Sequence, residues 1–218
     1  MKKHFLLSAV IPAFFFVACS STKNVVVSSD ADARIFVDGK LVTSGSTKIG
    51  VPKNSTVNVK VEKTGFITQE RNYTNYKKTV LPKRDFIKLE TDDAWESSLS
   101  TDLANRDVDI RTDKPENDAW KLLSQILTSY FDVLEVTDKN SGYMRTSWVQ
   151  KNFKASTIRT RLIVKLGNSN PLTYRVKLIS ETARPGTSVK NDEVFKQWDR
   201  LLRTYEPIIN ELQSRLSK

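Results

Sequence analysis

The spacing of apolar residues changes along the chain and divides it into regions of different predicted structure. Residues 5–18 are an almost continuous apolar run, whereas residues 25–81 alternate apolar and polar positions in short stretches. Residues 116–217 combine alternation with apolar positions three and four residues apart. Alternation is typical of half-buried strands, and the longer spacing is typical of amphipathic helices. The pattern therefore predicts an N-terminal segment, an all-β region and a mixed region of helices and strands.

The mixed region begins with a predicted helix and continues as a sheet. Apolar residues within 120–131 form one helical face, and Pro115 stands where a helix would start. Four antiparallel strands are predicted to follow, at residues 133–136, 142–150, 157–166 and 172–181. The helices must cover one face of this sheet. The predicted fold class is therefore α+β, with a small N-terminal all-β sandwich followed by an α-β4-α domain with an antiparallel sheet.

The C-terminal segment is predicted to be a long helix. Asn191 is placed to cap it, and Pro207 should kink it. Its apolar face would consist of Val194, Trp198, Leu201, Tyr205, Ile208, Leu212 and Leu216. This order of elements resembles the helix-grip domains of BamC-like envelope lipoproteins, and the stretch Gly142–Trp148, GYMRTSW, is the part most similar to them. The predicted helix-grip domain spans residues 116–218.

Residues 25–81 are predicted to form a β domain. Asp38-Gly39 lies between two apolar stretches and is a strong hairpin signal. The stretch Ser29–Lys40, SDADARIFVDGK, together with the alternating valines that lead to Gly65-Phe66, resembles a PEGA domain. The resemblance implies a small, non-catalytic β-sandwich that binds glycan or protein or acts as a spacer. Residues 82–115 are an acidic connector, which either packs on a basic surface of the protein or is a solvated linker.

The N-terminal run ends at the only cysteine of the chain, Cys19. Lys2 and Lys3 precede the run, and a small residue, Ala18, precedes the cysteine, as in a secretory signal. The stretch FVACS resembles a lipoprotein lipobox, which implies cleavage after residue 18 and lipid attachment to Cys19. The alternative is an uncleaved membrane helix, but fourteen residues are fewer than the ~20 that span a bilayer.

These features predict a signal at residues 1–18 and a lipidated tether at residues 19–24. No acidic residue directly follows Cys19, which by analogy with lipoprotein families favours a periplasm-facing anchor on the outer membrane. Lys and Arg number 35 and Asp and Glu 25, for a net charge of +10, which the signal lowers by two. Because an exported protein meets little nucleic acid, the expected partner is another envelope protein, an anionic glycan or lipopolysaccharide.

Several kinds of chemistry are excluded once the signal is removed. The only histidine, His4, belongs to the signal, and the only cysteine would carry lipid. Zinc sites and Ser-His-Asp or Cys-His catalysis need these side chains. The carboxylates lie mainly in turns, helix starts and the connector, so paired catalytic acids are not indicated. We expect no enzyme activity, no cofactor and no metal.

Alternation within the predicted strands identifies a candidate partner-binding surface. One face of the sheet is apolar, and the other carries cations side by side, which repel one another and so do not stabilise the fold. This basic face consists of Tyr143, Arg145, Arg159, Arg161, Lys165, Arg175 and Lys177. It binds a partner, is covered by the connector, or is simply solvated. The sequence favours a non-enzymatic lipoprotein, an accessory or scaffold subunit of an outer-membrane assembly, transport or secretion complex. The alternative is a glycan- or lipopolysaccharide-binding lipoprotein.

Overall fold

The computed structural model describes residues 21–217, which form two compact units. One unit holds the chain up to Lys63 together with Thr68–Leu89. The other holds Thr64–Ile67 and the chain from Glu90 onwards. The connector predicted from the sequence is therefore divided between the two units.

The predicted signal, residues 1–18, and the predicted lipidation site, Cys19, lie outside the described residues. Among residues 21–217, no helix is both long enough and apolar enough to cross a membrane. Attachment through lipid on Cys19 stays a prediction from the sequence.

The first unit consists of short strands in two sheets. The strands are β1 (Lys23–Ser28), β2 (Arg34–Val37), β3 (Lys40–Ser44), β4 (Ser46–Val51), β5 (Thr56–Glu62), β6 (Gln69–Thr74) and β7 (Arg84–Phe86). Their order is β4-β1-β7 in one sheet and β3-β2-β5-β6 in the other. Asp38 and Gly39, with φ angles of 48° and 79°, form the two-residue turn between β2 and β3. This turn confirms the predicted hairpin, because both positions require positive φ.

The second unit is built around one large sheet. Its helices are α1 (Asp93–Glu96), α2 (Glu116–Phe131) and α3 (Pro207–Leu216). Its strands are β8 (Ser98–Ser100), β9 (Asp107–Arg111), β10 (Leu134–Asp138), β11 (Tyr143–Thr146), β12 (Val149–Asn152), β13 (Thr157–Ser169), β14 (Leu172–Ala183), β15 (Lys196–Gln197) and β16 (Arg200–Leu202). The sheet runs β10-β11-β13-β14-β15, with β12 also beside β13 and β9 also beside β14. β8 and β16 form a separate pair.

The helices α2 and α3 bury their apolar faces against one side of the large sheet. Leu123 of α2, Leu162 of β13 and Leu212 of α3 are fully buried in a single core. The apolar face predicted for residues 120–131 is confirmed, since α2 buries it. Because successive side chains of a strand point to opposite faces, the remaining residues of β13 and β14 lie on the side away from this core.

The predicted α-β4-α arrangement is wrong. Strands make up 46% and helices 18% of the described residues, in four sheets and only three α-helices. The large sheet has seven strands instead of four. β9 from the connector and β15 from the C-terminal segment join it beside β14, and the strand predicted at residues 142–150 is divided into β11 and β12. The described chain is therefore mostly β and does not have a helix-grip fold.

The long C-terminal helix is wrong over its first half. Asp192–Val194 and Arg203–Tyr205 are single 3₁₀ turns, with β15 and β16 between them. Val194, predicted on the buried helix face, is 45% exposed, whereas Phe195 is buried. Pro207 is the first residue of α3 and therefore starts a helix instead of kinking one. The backbone between the two turns pairs with β14 and β8. The spacing of apolar residues within one segment cannot reveal such pairing with another segment.

Candidate functional site

The basic face lies on the side of the large sheet away from the helical core. Strand pairing places Tyr143, Lys165 and Arg175 in one row across β11, β13 and β14. Arg145 and Lys177 lie in the next row. The structure brings all seven predicted residues to one side of the sheet, but it gives them different environments.

The acidic connector neutralises one end of the basic face. β9 runs antiparallel to β14, so that Asp109 lies opposite Arg175 and Asp107 opposite Lys177. The ion pairs measure 2.9 Å and 3.3 Å between nitrogen and oxygen. The hydrogen bond from Arg175 holds the pKa of Asp109 below its ordinary value. The connector therefore pairs with these cations from the neighbouring strand of the same sheet.

Arg159 is part of the frame of the site, because it is only 2% exposed. It donates from Nε to Glu181 at 2.8 Å and forms an ion pair with Asp192 at 2.5 Å. Its guanidinium carbon lies 4.1 Å from the ring centre of Trp148 and 3.9 Å from that of Phe195. A buried charge needs such partners to offset its lost hydration. Arg159 is therefore buried, and the prediction that it contributes to an exposed binding face is wrong.

The segment that follows β14 folds back over Arg159. The carbonyl oxygen of Val189 accepts a hydrogen bond from Arg159 at 2.7 Å. Asp192 and Phe195, from the same segment, supply the carboxylate and the ring. One guanidinium therefore fixes residues 189–195 against the sheet, where they form a wall beside the next arginine of β13.

Arg161, which lies beside this wall, is the arginine of the basic face that has no carboxylate partner among residues 21–217. Its guanidinium carbon lies 4.0 Å from the ring centre of Trp148, and its buried Nε has no hydrogen-bond partner in the part of the chain that the structure describes. Within residues 21–217, Arg161 forms no salt bridge. Burial lowers the pKa of Arg161 below its ordinary value, and the positive charge of Arg145 lowers it further. A nearby anion would favour the charged form and offset both effects.

A depression of about 560 Å³ opens beside Arg161. The residues that line it include Glu135, Arg145, Trp148, Arg161, Lys190 and Asp192, and we call it the Arg161 depression. Arg145 donates to Glu135 at 3.1 Å, and Asp192 is held by Arg159. Each carboxylate of the depression is therefore already paired with an arginine. Arg161 and Lys190 have no carboxylate partner in the part of the chain that the structure describes.

Six of the eight residues that line the depression are not among the predicted site residues, and four of these six are charged or aromatic. Trp148 lies in the short gap between β11 and β12, Glu135 lies on β10, and Lys190 and Asp192 belong to the segment after β14. The spacing of Arg159 and Arg161 on one strand indicates that they share a face. No pattern in the neighbouring sequence indicates that Trp148 contacts both. Only the tertiary arrangement brings these residues together.

The arrangement suits the binding of a negatively charged group. A cation over an aromatic ring, partly removed from water, interacts with an anion more strongly than a solvated cation does. Arginine also offers a planar set of donors that matches carboxylate and phosphate oxygens. Among residues 21–217, no group of three or more His, Cys, Asp or Glu side chains is arranged to hold a metal ion.

No protein-family model matches the chain, and no curated protein matches it either. The resemblance of residues 25–81 to PEGA domains therefore stays a prediction from the sequence.

Proposed function

We propose that this protein is a non-enzymatic envelope lipoprotein that holds a partner near the outer membrane. Lipid on Cys19 would anchor the chain on the periplasmic side, and the second unit would bind the partner through the Arg161 depression. The protein would then act as an accessory or scaffold subunit of an assembly, transport or secretion complex.

One observation carries this proposal, namely that Arg161, beside an open depression, has no carboxylate partner within the described residues. The other arginines of the basic face have carboxylate partners: Arg145 pairs with Glu135, Arg159 with Glu181, and Arg175 with Asp109. A buried or half-buried arginine without such a partner is costly to the fold. A partner that supplies an anion would remove this cost, and the free energy gained would appear as binding.

Site-specific crosslinking in cells tests the binding role. A photoreactive amino acid at Lys190, on the rim of the depression, should capture a defined envelope protein. The matched control is the same amino acid at Gln213, an exposed position on α3 away from the basic face. The adduct should disappear when Arg161→Gln is added to the Lys190 crosslinker. Equal adducts from both positions, or none from Lys190, would contradict the proposal.

The lipid anchor has a separate test. Cells fed a labelled fatty acid should incorporate it into the wild-type protein and not into Cys19→Ser, and the variant should leave the membrane fraction. Incorporation that survives the substitution would exclude this anchor. Crosslinks to lipopolysaccharide instead of protein would favour the alternative, a glycan- or lipopolysaccharide-binding lipoprotein.

A further inference from the structure

The charged side chains that line the Arg161 depression, three cations and two carboxylates, leave a net charge of +1, and this net charge restricts what the depression binds. Arg145 is engaged by Glu135, and Asp192 by Arg159. One half-buried guanidinium, that of Arg161, is left at the wall, with the ammonium of Lys190 at the rim. The carboxylates of Glu135 and Asp192, although paired, still line the depression, so any anion that enters also lies near negative charge.

We propose that the Arg161 depression binds a single carboxylate group from an acidic segment of a protein partner. This inference rests on the proposed function and names the chemistry of the partner. The carboxylate oxygens accept hydrogen bonds from the guanidinium of Arg161, whose carbon lies 4.0 Å from the ring centre of Trp148.

A carboxylate fits this balance better than a phosphate does. A phosphate monoester carries nearly two negative charges at neutral pH. Its second charge would exceed the net charge of the lining side chains, because Glu135 and Asp192 also line the depression. Like charges at close range in a partly desolvated site repel strongly. A carboxylate brings one negative charge, which matches the net charge of +1 of the lining side chains.

A protein segment fits better than an acidic polysaccharide for a related reason. A peptide presents backbone N–H donors beside its acidic side chain, and the exposed carboxylate of Asp192 can accept them. A uronic acid polymer instead presents further carboxylates, which Glu135 and Asp192 repel. Tryptophan and arginine, which form the wall here, are also the side chains that contribute most to protein–protein interfaces.

The test uses the full lipidated chain in zwitterionic detergent micelles, with ¹⁵N label and the indole N–H signal of Trp148 as the reporter. Trp148→Phe identifies that signal. The probe is a short amidated Gly-Ser peptide that contains one Glu. Its matched controls carry Gln or phosphoserine at the same position, and tetragalacturonate represents the polysaccharide.

We expect the Glu peptide to shift the Trp148 signal saturably and the Gln peptide to bind roughly tenfold more weakly or worse, as for loss of a charge-assisted hydrogen bond. The phosphoserine peptide and tetragalacturonate should bind no more tightly than the Glu peptide. Arg161→Gln should reduce the affinity for the Glu peptide by roughly tenfold or more. Arg161→Lys should give a smaller loss, because it keeps the charge but not the planar donor set.

Arg175→Gln is the matched control, because it removes an arginine of the same face that Asp109 already pairs. It should leave the affinity unchanged, and the amide spectrum of each variant shows whether it is folded. Equal binding of the Glu and Gln peptides, tighter binding of phosphoserine or tetragalacturonate, or full binding by Arg161→Gln would overturn the inference. If the Lys190 crosslink in cells persists while the Glu peptide does not bind, the inference fails and the proposed function stands. If the Glu peptide binds but no partner is captured, the proposed function fails instead.

Discussion

Removal of the Arg159 side chain should destabilise the second unit far more than removal of any exposed cation of the basic face. Arg159 contacts two carboxylates, one carbonyl oxygen and two aromatic rings, and it is only 2% exposed. Arg159→Gln keeps a polar side chain of moderate length but cannot make these contacts together. It leaves Glu181 on the sheet and Asp192 on the covering segment without their cation.

The magnitude follows from how exposed the two carboxylates are. Breaking a buried ion pair by removing one partner costs about 3–5 kcal/mol. The side chain of Asp192 is 77% exposed and stays hydrated, so it adds little, whereas that of Glu181 is only 20% exposed. Loss of the two ring contacts adds about 1 kcal/mol. We therefore expect a decrease in the free energy of unfolding of about 4 kcal/mol, which combines the lower end of the range for a buried pair with the loss of the ring contacts.

Urea denaturation followed by tryptophan fluorescence measures this decrease. All four tryptophans, at positions 95, 120, 148 and 198, belong to the second unit, so the signal reports that unit alone. Arg175→Gln is the control, because its salt bridge with Asp109 is exposed on both sides and should contribute far less. Equal midpoints for the two variants would refute the view that Arg159 holds the covering segment on the sheet.

Three further predictions concern two glycines with positive φ, the loss of stability in acid, and the proline that starts α3. Gly142→Ala should cost about 3 kcal/mol, because φ is +64° and the added carbon would lie 2.4 Å from a side-chain atom of β13, which combines backbone strain with overpacking. Gly186→Ala, with φ of +76° and nothing within 4 Å, should cost only about 1 kcal/mol, and equal costs in urea would contradict this reasoning. Burial raises the pKa of Asp85, but the hydrogen bonds from Arg71 and from a tyrosine outweigh it and leave that pKa lowered. The stability that Asp85 provides is therefore present above the unfolded pKa of about 3.9 and is lost as pH falls below it, so Asp85→Asn should flatten the acid dependence of the first unit, measured by urea titration of the β1 amide NMR signals. Pro207→Ala should change stability by less than about 1 kcal/mol, since alanine also tolerates the first helical position; a gain of helical circular dichroism would indicate that proline had interrupted a longer helix.

The parts of this protein that local sequence determined are those in which neighbouring residues alone carry the structure. The Asp38-Gly39 turn formed because few other residue pairs accept positive φ at both positions. The apolar face of α2 and the alternation of β13 and β14 could also be predicted from the sequence, since each follows the period of its own helix or strand. Strand alternation placed all seven residues of the basic face on one side of the sheet.

Tertiary structure alone decided what each of those residues does. Arg159, Arg161 and Arg175 look equivalent in sequence, yet one is buried between rings and carboxylates, one is unpaired and one is paired on the surface. The difference comes from partners that are distant in the chain: Asp109 on β9, and the segment at residues 189–195 that folds back over the sheet. β15 and β16 likewise depend on tertiary structure, because they form by backbone pairing with β14 and β8. Which segments become neighbours depends on the packing of the whole unit, and no local period encodes it.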